Sequence, residues 1–542
     1  MTYTPQEQKL LARYFSVLDR RDHADIYLVR NLPPEVAATL NGVYSRSHLS
    51  MRDNFLQRLK KGLAESGTSL DAMDLGDVEP DVLTDVLADR SGKFLKTYAI
   101  DHGHNSLREG SILHIAVENV SQLVTRFIQR ERRCSFEESS TRYISFSEEG
   151  HWRDPDVMAT GGEVARAYEE TLRTTFALYQ QLTERLVAFL TRRRPLEGGE
   201  QPAAYQRALR AEAFDAARYL LTPAVFTKWG FVLDARTLSD VVTELLSHPL
   251  AEFRLVGQRL KEQGDTVVPT LLSHAKPNPF LSDQHRVLAE LATELDPADT
   301  RGRSVPNVSL VSWDRDLDCR LLASLVYEHS HARIEELRRL AREMSTEQRQ
   351  AMLTRALSGR GKHDALPLPL EGTAPFEFEV LVDFGAYRDI GRHRKGFQQQ
   401  QMMTAGHGYV VPPLIEEAGL ADIFRDTMAT ATANHNIVAA AHPHAAAYIT
   451  PFAFLQRVRL IFDPRQIAYF IELRSGPEGH FAYRNVAIDM FREVQRVSPL
   501  FAQLIRVQLG GAFLGRLETE QAADDRRRQR MLRAGDLPTD SA

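Results

Sequence analysis

Residues 130 to 143, Arg-Glu-Arg-Arg-Cys-Ser-Phe-Glu-Glu-Ser-Ser-Thr-Arg-Tyr, place Arg130, Arg132, Arg133 and Arg142 among the hydroxyls of Ser135, Ser139 and Ser140. Guanidinium groups offer planar forks of donors that match phosphate and carboxylate oxygens, and serine hydroxyls can complete the same shell. That is the chemistry of an oxyanion site. Charge alone leaves a second reading open, a basic helix end turned to solvent. Histidine pairs raise metal binding as another chemistry. His102 and His104 have no third ligand close in sequence, and His435, His442 and His444 have no acid or thiol beside them, so no metal site is expected.

The spacing says more than the charge. Arg130, Arg132, Ser135, Glu138, Ser140, Arg142 and Tyr143 form Arg-x-Arg-x-x-Ser-x-x-Glu-x-Ser-x-Arg-Tyr, which resembles the signature of the flavin-dependent thymidylate synthases, the ThyX family. Glu131 stands where the family has His, and Glu137 where it has Asn. Upstream, Gly103, His104, Ser106 and Glu109 resemble the family's Gly-His-x-Ser-x-x-Glu stretch, followed by Gly110 in place of a His. Downstream, Ala217-Arg218-Tyr-Leu-Leu-Thr222 is similar to Ala-Arg-x-x-Leu-Pro, and Asp234-Ala-Arg236-Thr-Leu to Asn-x-Arg-Ser-Leu. The family carries a further Arg eleven residues after that Asn, and here the position is Leu245.

Elements must carry these groups to one place. A short helix is expected around Leu10, Leu11, Tyr14 and Phe15, a strand at Ile26-Tyr-Leu-Val29, and a helix from Glu35 to Tyr44. Val117, Val120, Val124, Phe127 and Ile128 recur at three and four residue steps and predict a helix delivering Arg130 and Arg132. Val164, Tyr168, Leu172, Phe176, Tyr179, Leu182, Leu186 and Phe189 predict a second, long amphipathic helix ending at Arg192-Arg-Arg-Pro. Residues 265 to 304 carry Pro and Asp with little periodicity, and a domain boundary is placed near 300.

Beyond that boundary the features return in order. Val308-Ser-Leu-Val, a break, a helix and Tyr327-Glu-His-Ser330 repeat Ile26-Tyr-Leu-Val, a break, a helix and Tyr44-Ser-Arg-Ser47. His363 takes the place of His104, and Phe376, Phe378, Val380, Val382 and Phe384 lead to Arg392-His393-Arg394, a full family-like triplet without the Ser-x-Arg-Tyr that follows it elsewhere. Ala447 replaces Arg218, while Asp463-Pro-Arg465 and Arg474, eleven residues after Asp463, restore what Leu245 lacks. The two copies have lost complementary parts. The expected fold is therefore α/β in the α+β sense and helix-rich, two ThyX-like domains in tandem, each with long helices on a small sheet. The divisions read as an N-terminal extension 1–23, a first domain 24–300, a second 301–516, and a disordered tail 517–542.

The resemblance implies reductive methylation of dUMP to dTMP, with FAD as cofactor and methylenetetrahydrofolate and NADPH as co-substrates. It implies a composite site as well: Arg132, Ser135, Glu138, Ser140, Arg142 and Arg218 on the nucleotide with Arg474 against the pyrimidine as the catalytic group, and Ser106, Glu109, Arg130, Arg236, Arg392, His393, Arg394 and Arg465 around FAD. The alternative is a degenerate or repurposed flavin- or nucleotide-binding protein of the same fold. A third reading, nucleic-acid binding through the arginine clusters, gains nothing from a net charge of -5. At 542 residues with 43% hydrophobic and 26% charged residues, the chain fits a soluble multidomain protein. Cys134 and Cys319 fit a reducing compartment, and no apolar run is long enough to span a bilayer, so a cytoplasmic protein without a membrane partner is expected. Family members are understood to be homotetramers, so a homodimer imitating a tetramer is the expected assembly.

Overall fold

The computed structural model describes residues 3–19, 25–45, 47–70, 80–139, 150–196, 202–295, 306–477, 479–510, 524–526 and 529–530. The boundary expected near 300 and nearly all of the tail from 517 lie outside the described residues, as do Ser140, Arg142 and Tyr143. The chain is α+β and helix-rich, with two small antiparallel sheets, and no described helix is long and apolar enough to cross a membrane.

Compact units cut across the sequence repeat. One unit comprises Met1–Glu118, Arg133–Glu138 and Lys228–Asp296; the other comprises Asn119–Arg132, Ser139–Thr227 and Pro297–Ala542. Strands β1 (Ile112–Ser121), β2 (Ser135–Glu138) and β3 (Phe226–Asp234) form one sheet in the order β1-β3-β2, and β4 (Val308–Ser312), β5 (Phe376–Asp383), β6 (Phe397–Gln400) and β7 (Leu455–Phe462) form another in the order β4-β5-β7-β6.

Alternation builds β5. Phe376, Phe378, Val380 and Val382 are all buried, while Glu377 and Glu379 turn outward to Arg459 and Arg457 of β7. The helix Phe481–Val497 adds Tyr483, Val486, Met490 and Val494 to the same core. The helix Gly162–Arg193, 32 residues long, matches its expected span and buries Tyr168, Leu172, Phe176, Tyr179, Leu182 and Leu186 along one stripe.

Three expectations are corrected. The run Ile26–Val29 makes no strand, only a bridge from Val29 to Phe15, and Ile26 is 79% exposed, with no neighbouring strand among the described residues to cover it. Val117 and Val120 belong to β1; the helix is only Gln122–Gln129, started by the Ser121 hydroxyl accepting from the Val124 amide. β-branched residues suit a pleated surface, and that preference overrode the apparent helical steps. The supposedly irregular 265–304 contains the helix Pro279–Leu295, capped by the Asn278 side chain accepting from the Phe280 amide.

The repeats meet inside the second unit as reciprocal partners. Tyr219 lies in the 3-10 turn before β3 and Tyr448 in the 3-10 turn before β7. The Ala224 amide donates to the Tyr448 carbonyl and the Ala453 amide to the Tyr219 carbonyl, both at 3.0 Å. Around them, Trp152 donates to Ala224 at 2.8 Å as Val410 does to Ala453 at 3.0 Å. Equivalent residues of two repeats thus exchange equivalent hydrogen bonds, as across a two-fold axis.

Candidate functional site

Strand β5 ends at Asp383, whose Oδ1 accepts from the Ala386 amide at 2.7 Å and starts the short helix Phe384–Ile390. That helix delivers the turn Arg392-His393-Arg394-Lys395-Gly396. Only glycine fits at 396, because a Cβ there would overlap the Phe462 ring. On the neighbouring strand, Asp463 and Gln466 form a capping box that opens the helix Pro464–Arg474. Arg465, Tyr469 and Leu473 then recur every fourth position on one face. Turn and helix enclose a cavity of about 430 Å³ lined by Glu371, Arg392, His393, Arg394, Lys395, Arg465, Tyr469 and Arg474 among others.

Arg474 is held on three sides. Its Nε donates to His393 Nε2 at 2.8 Å, its Nη2 donates to the Asp389 carbonyl at 2.7 Å, and its guanidinium lies 5.1 Å from the Tyr483 ring centre. A guanidinium has only donors, so Nε2 of His393 accepts and the imidazole proton sits on Nδ1. Burial first, and the neighbouring Arg474 charge second, push His393 down to about 3 against the opposing pull of Asp389. The ring is neutral at ordinary pH. Phe470 meets it edge-on at 4.9 Å.

The other second-repeat residues are placed variously. Arg465 lines the cavity with its guanidinium engaged, Nε to the Leu366 carbonyl at 2.8 Å and Nη1 to Glu371 at 2.5 Å. Arg392 is exposed on the wall.

First-repeat arginines reach the same stretch. Arg132 donates from Nε to the Arg394 carbonyl at 3.1 Å and from Nη2 to the Lys395 carbonyl at 2.6 Å. Arg218, 1% exposed, lies 3.8 Å from the Asp389 carboxylate and 3.9 Å from that of Asp215. Arg126 donates to the Arg388 carbonyl at 3.3 Å. Arg130 stacks on Phe127 at 3.7 Å. Beside this cluster, burial raises Asp383 to about 6, with Arg218 and the Ala386 amide pulling the other way.

Ser106, Glu109, Ser135, Glu138 and Arg236 belong to the first unit. Ser135 and Glu138 lie on β2, paired with Val232 and Trp229 of β3. Arg236 forms an ion pair with Glu109 at 2.6 Å, and Ser106 and Glu109 lie in the 3-10 turn Asn105–Gly110. Leu245 is fully buried in its helix. His102 and His104 have ring centres 6.4 Å apart, His435 bonds Thr450 Oγ1 at 2.9 Å, and His442 bonds Thr160 Oγ1 at 2.7 Å. Among the described residues no three His, Cys, Asp or Glu side chains are grouped to hold a metal ion.

Sequence reasoning missed Asp389, Arg126, Glu371 and Tyr469. Asp389 had no signal to find, since the repeat puts Phe127 in its place.

The family model described as thymidylate synthase complementing protein matches residues 62–270 and 310–500. A UPF0159 protein of Chlamydia pneumoniae is 29% identical over 537 residues, covering 96% of this chain and 97% of its own. A flavin-dependent thymidylate synthase of Clostridium tetani is 23% identical over 195 residues, covering 36% of this chain and 74% of its own. The crystal structure of flavin dependent thymidylate synthase ThyX from Helicobacter pylori complexed with FAD and dUMP aligns with a TM-score of 0.24 at 14% identity, over 40% of this chain and 95% of that one.

Proposed function

This chain belongs to the thymidylate synthase complementing protein family, and from that membership we propose that it converts dUMP to dTMP by reductive methylation, as an FAD-dependent enzyme using methylenetetrahydrofolate and NADPH. The observation that carries the reading is the position of Arg474, lining a cation-rich cavity and fixed by His393 and the Asp389 carbonyl. Arginines of both repeats support it, which favours one site built jointly over two independent ones.

The residues present fit the cofactor. Arg392, Arg394 and Lys395 give the wall positive charge suited to a diphosphate, and Tyr469 offers a flat apolar face to a ring system. FAD, when bound, would pass on reducing equivalents drawn from NADPH. The chain's own task is orientation and charge stabilisation. Arg474, with its direction set before any ligand arrives, would meet charge developing on a pyrimidine carbonyl without reorganising. Neutral His393 accepts from it without adding a second positive charge. The nucleotide's phosphate falls to Ser140 and Arg142 in this proposal, with Ser135 and Glu138 beside them on the same segment. Ser106, Glu109, Arg130 and Arg236 complete the proposed flavin contacts. The proposed assembly is a homodimer of the duplicated chain, in the cytoplasm.

One observation favours the second reading, a repurposed flavin- or nucleotide-binding protein. Arg465, expected on the cofactor, spends its donors on Glu371 and the Leu366 carbonyl. Absorbance of the purified chain with and without dUMP, followed by an assay for dTMP, separates the two. Flavin absorbance perturbed by dUMP, with dTMP formed, supports the enzyme. Bound flavin with no dTMP supports the repurposed protein, and a colourless chain that binds nucleic acid in a salt-dependent way refutes both.

A further inference from the structure

Residues 388 to 395 are a short stretch of the second repeat at the end of the helix Phe384–Ile390. The last carbonyls of a helix lack partners within it, and so do those of the turn that follows. Guanidinium groups from the first repeat occupy several of them: Arg126 at the Arg388 carbonyl, Arg132 across the Arg394 and Lys395 carbonyls. Arg218 faces the carboxylate of Asp389, and Asp389 gives its carbonyl to Arg474. A cation as buried as Arg218 is tolerable only beside compensating charge, which Asp215 and Asp389 provide. Its surroundings leave it facing acids, the reverse of a phosphate site.

We propose that Arg132 and Arg218, which the family resemblance assigns to the nucleotide, are positioning residues that hold residues 388–395 so that Arg474 and His393 keep their geometry. This rests on the function proposed above only for its kinetic readout. Arg132 acts by bridging two carbonyls with two nitrogens of its rigid fork, a geometry that the single nitrogen of lysine does not reproduce. Arg218 acts by fixing Asp389, whose main chain is the anchor of Arg474.

The test uses the full chain and Arg132→Gln, a substitution at an exposed position, with Arg132→Lys and Asp389→Asn beside it. Asp389→Asn keeps the carbonyl bonded by Arg474 and removes the carboxylate that Arg218 faces. Hydrogen exchange is followed in the peptide spanning residues 385–397, and steady-state kinetics with dUMP as the varied substrate. All three variants are expected to raise exchange in that peptide and to lower kcat by roughly tenfold or more, with KM for dUMP unchanged and no rescue by lysine. Wild-type exchange in Arg132→Gln, or a raised KM for dUMP, overturns the proposal. Should the parent chain form no dTMP, the proposed function fails while the exchange result still decides this inference: faster exchange upholds it and unchanged exchange ends it.

Discussion

Arg474 has its Nε on a neutral imidazole, one terminal nitrogen on a carbonyl, and an aromatic ring beside it. Such a side chain has little freedom to lose when a substrate arrives, so its removal should tell on turnover more than on binding. Arg474→Ala is expected to lower dTMP formation by about a hundredfold or more while flavin content per chain, read by absorbance, stays at the parent level. Loss of flavin together with activity would place Arg474 on the cofactor instead. Titration gives a second prediction. His393 is held down to about 3 from a usual 6.5, so between those values the unfolded chain binds a proton that the folded chain refuses, and stability falls as pH drops through that window. Asp383, raised from 3.8 to about 6, works against it: the folded chain keeps the proton there, and stability falls as pH rises from 3.8 to 6. Asp383→Asn keeps a helix-capping side chain and removes the opposing slope. Its urea midpoint should therefore climb more steeply than the parent's between about pH 4 and pH 6; parallel curves would mean that Asp383 is already ionised in the folded chain. At this scale the sequence singled out Arg-His-Arg and Arg474 as candidates, because fixed spacing survives in a single chain, and His393 and Arg474 lie in hydrogen-bond contact. It hid Asp389, which acts through a main-chain atom that every residue type possesses.

Elements were legible where one period ran long enough to be unambiguous. The helix Gly162–Arg193 and the alternation of β5 are such cases. Between Val117 and Ile128 a strand gives way to a helix within one apolar segment, and neither period runs its full length. Ile26–Val29 has strand composition, but a strand also needs a neighbour, which composition does not report. The turn after the helix Phe384–Ile390 depends on Gly396, whose missing side chain makes room for Phe462. Gly396→Ala should cost about 1–3 kcal/mol by overpacking, measured by urea unfolding, and Gly396→Ala combined with Phe462→Leu should recover part of it. No recovery would mean that the glycine is needed for its backbone and not for the space it leaves. The capping box at Asp463 belongs to the same scale: Asp463→Ala should cost about 1 kcal/mol and loosen the helix that carries Arg465 and Arg474, visible as faster exchange in its first turn. Unchanged exchange there would put the helix start under the control of Pro464 alone.

For the molecule as a whole, the internal repeat could be read in the sequence and the compact units could not. Residues 119–132 and 139–227 of the first repeat are assigned with the second to one compact unit, where Phe176, Leu182 and Tyr219 share a core with Phe424, Met428 and Val458, and an apolar side chain does not tell in the sequence which repeat it will pack against. The amides of Ala224, Phe452 and Ala453 make main-chain hydrogen bonds between the repeats. They should exchange as slowly as those of Val458 and Leu460 in the middle of β7, since opening them would require the whole unit to come apart. Markedly faster exchange at these three would mean that the repeats separate without unfolding. Leu245, where the first repeat lacks the Arg474 counterpart, has no exposed surface, so Leu245→Arg would bury a charge there. The reciprocal pair of bonds between Tyr219–Ala224 and Tyr448–Ala453 has the form of contacts that identical subunits make twice. Because a single polypeptide supplies both sides, no dissociation constant governs their meeting and dilution cannot part them. A substitution on one side is also not copied onto the other, so the two halves of such an interface are free to diverge independently.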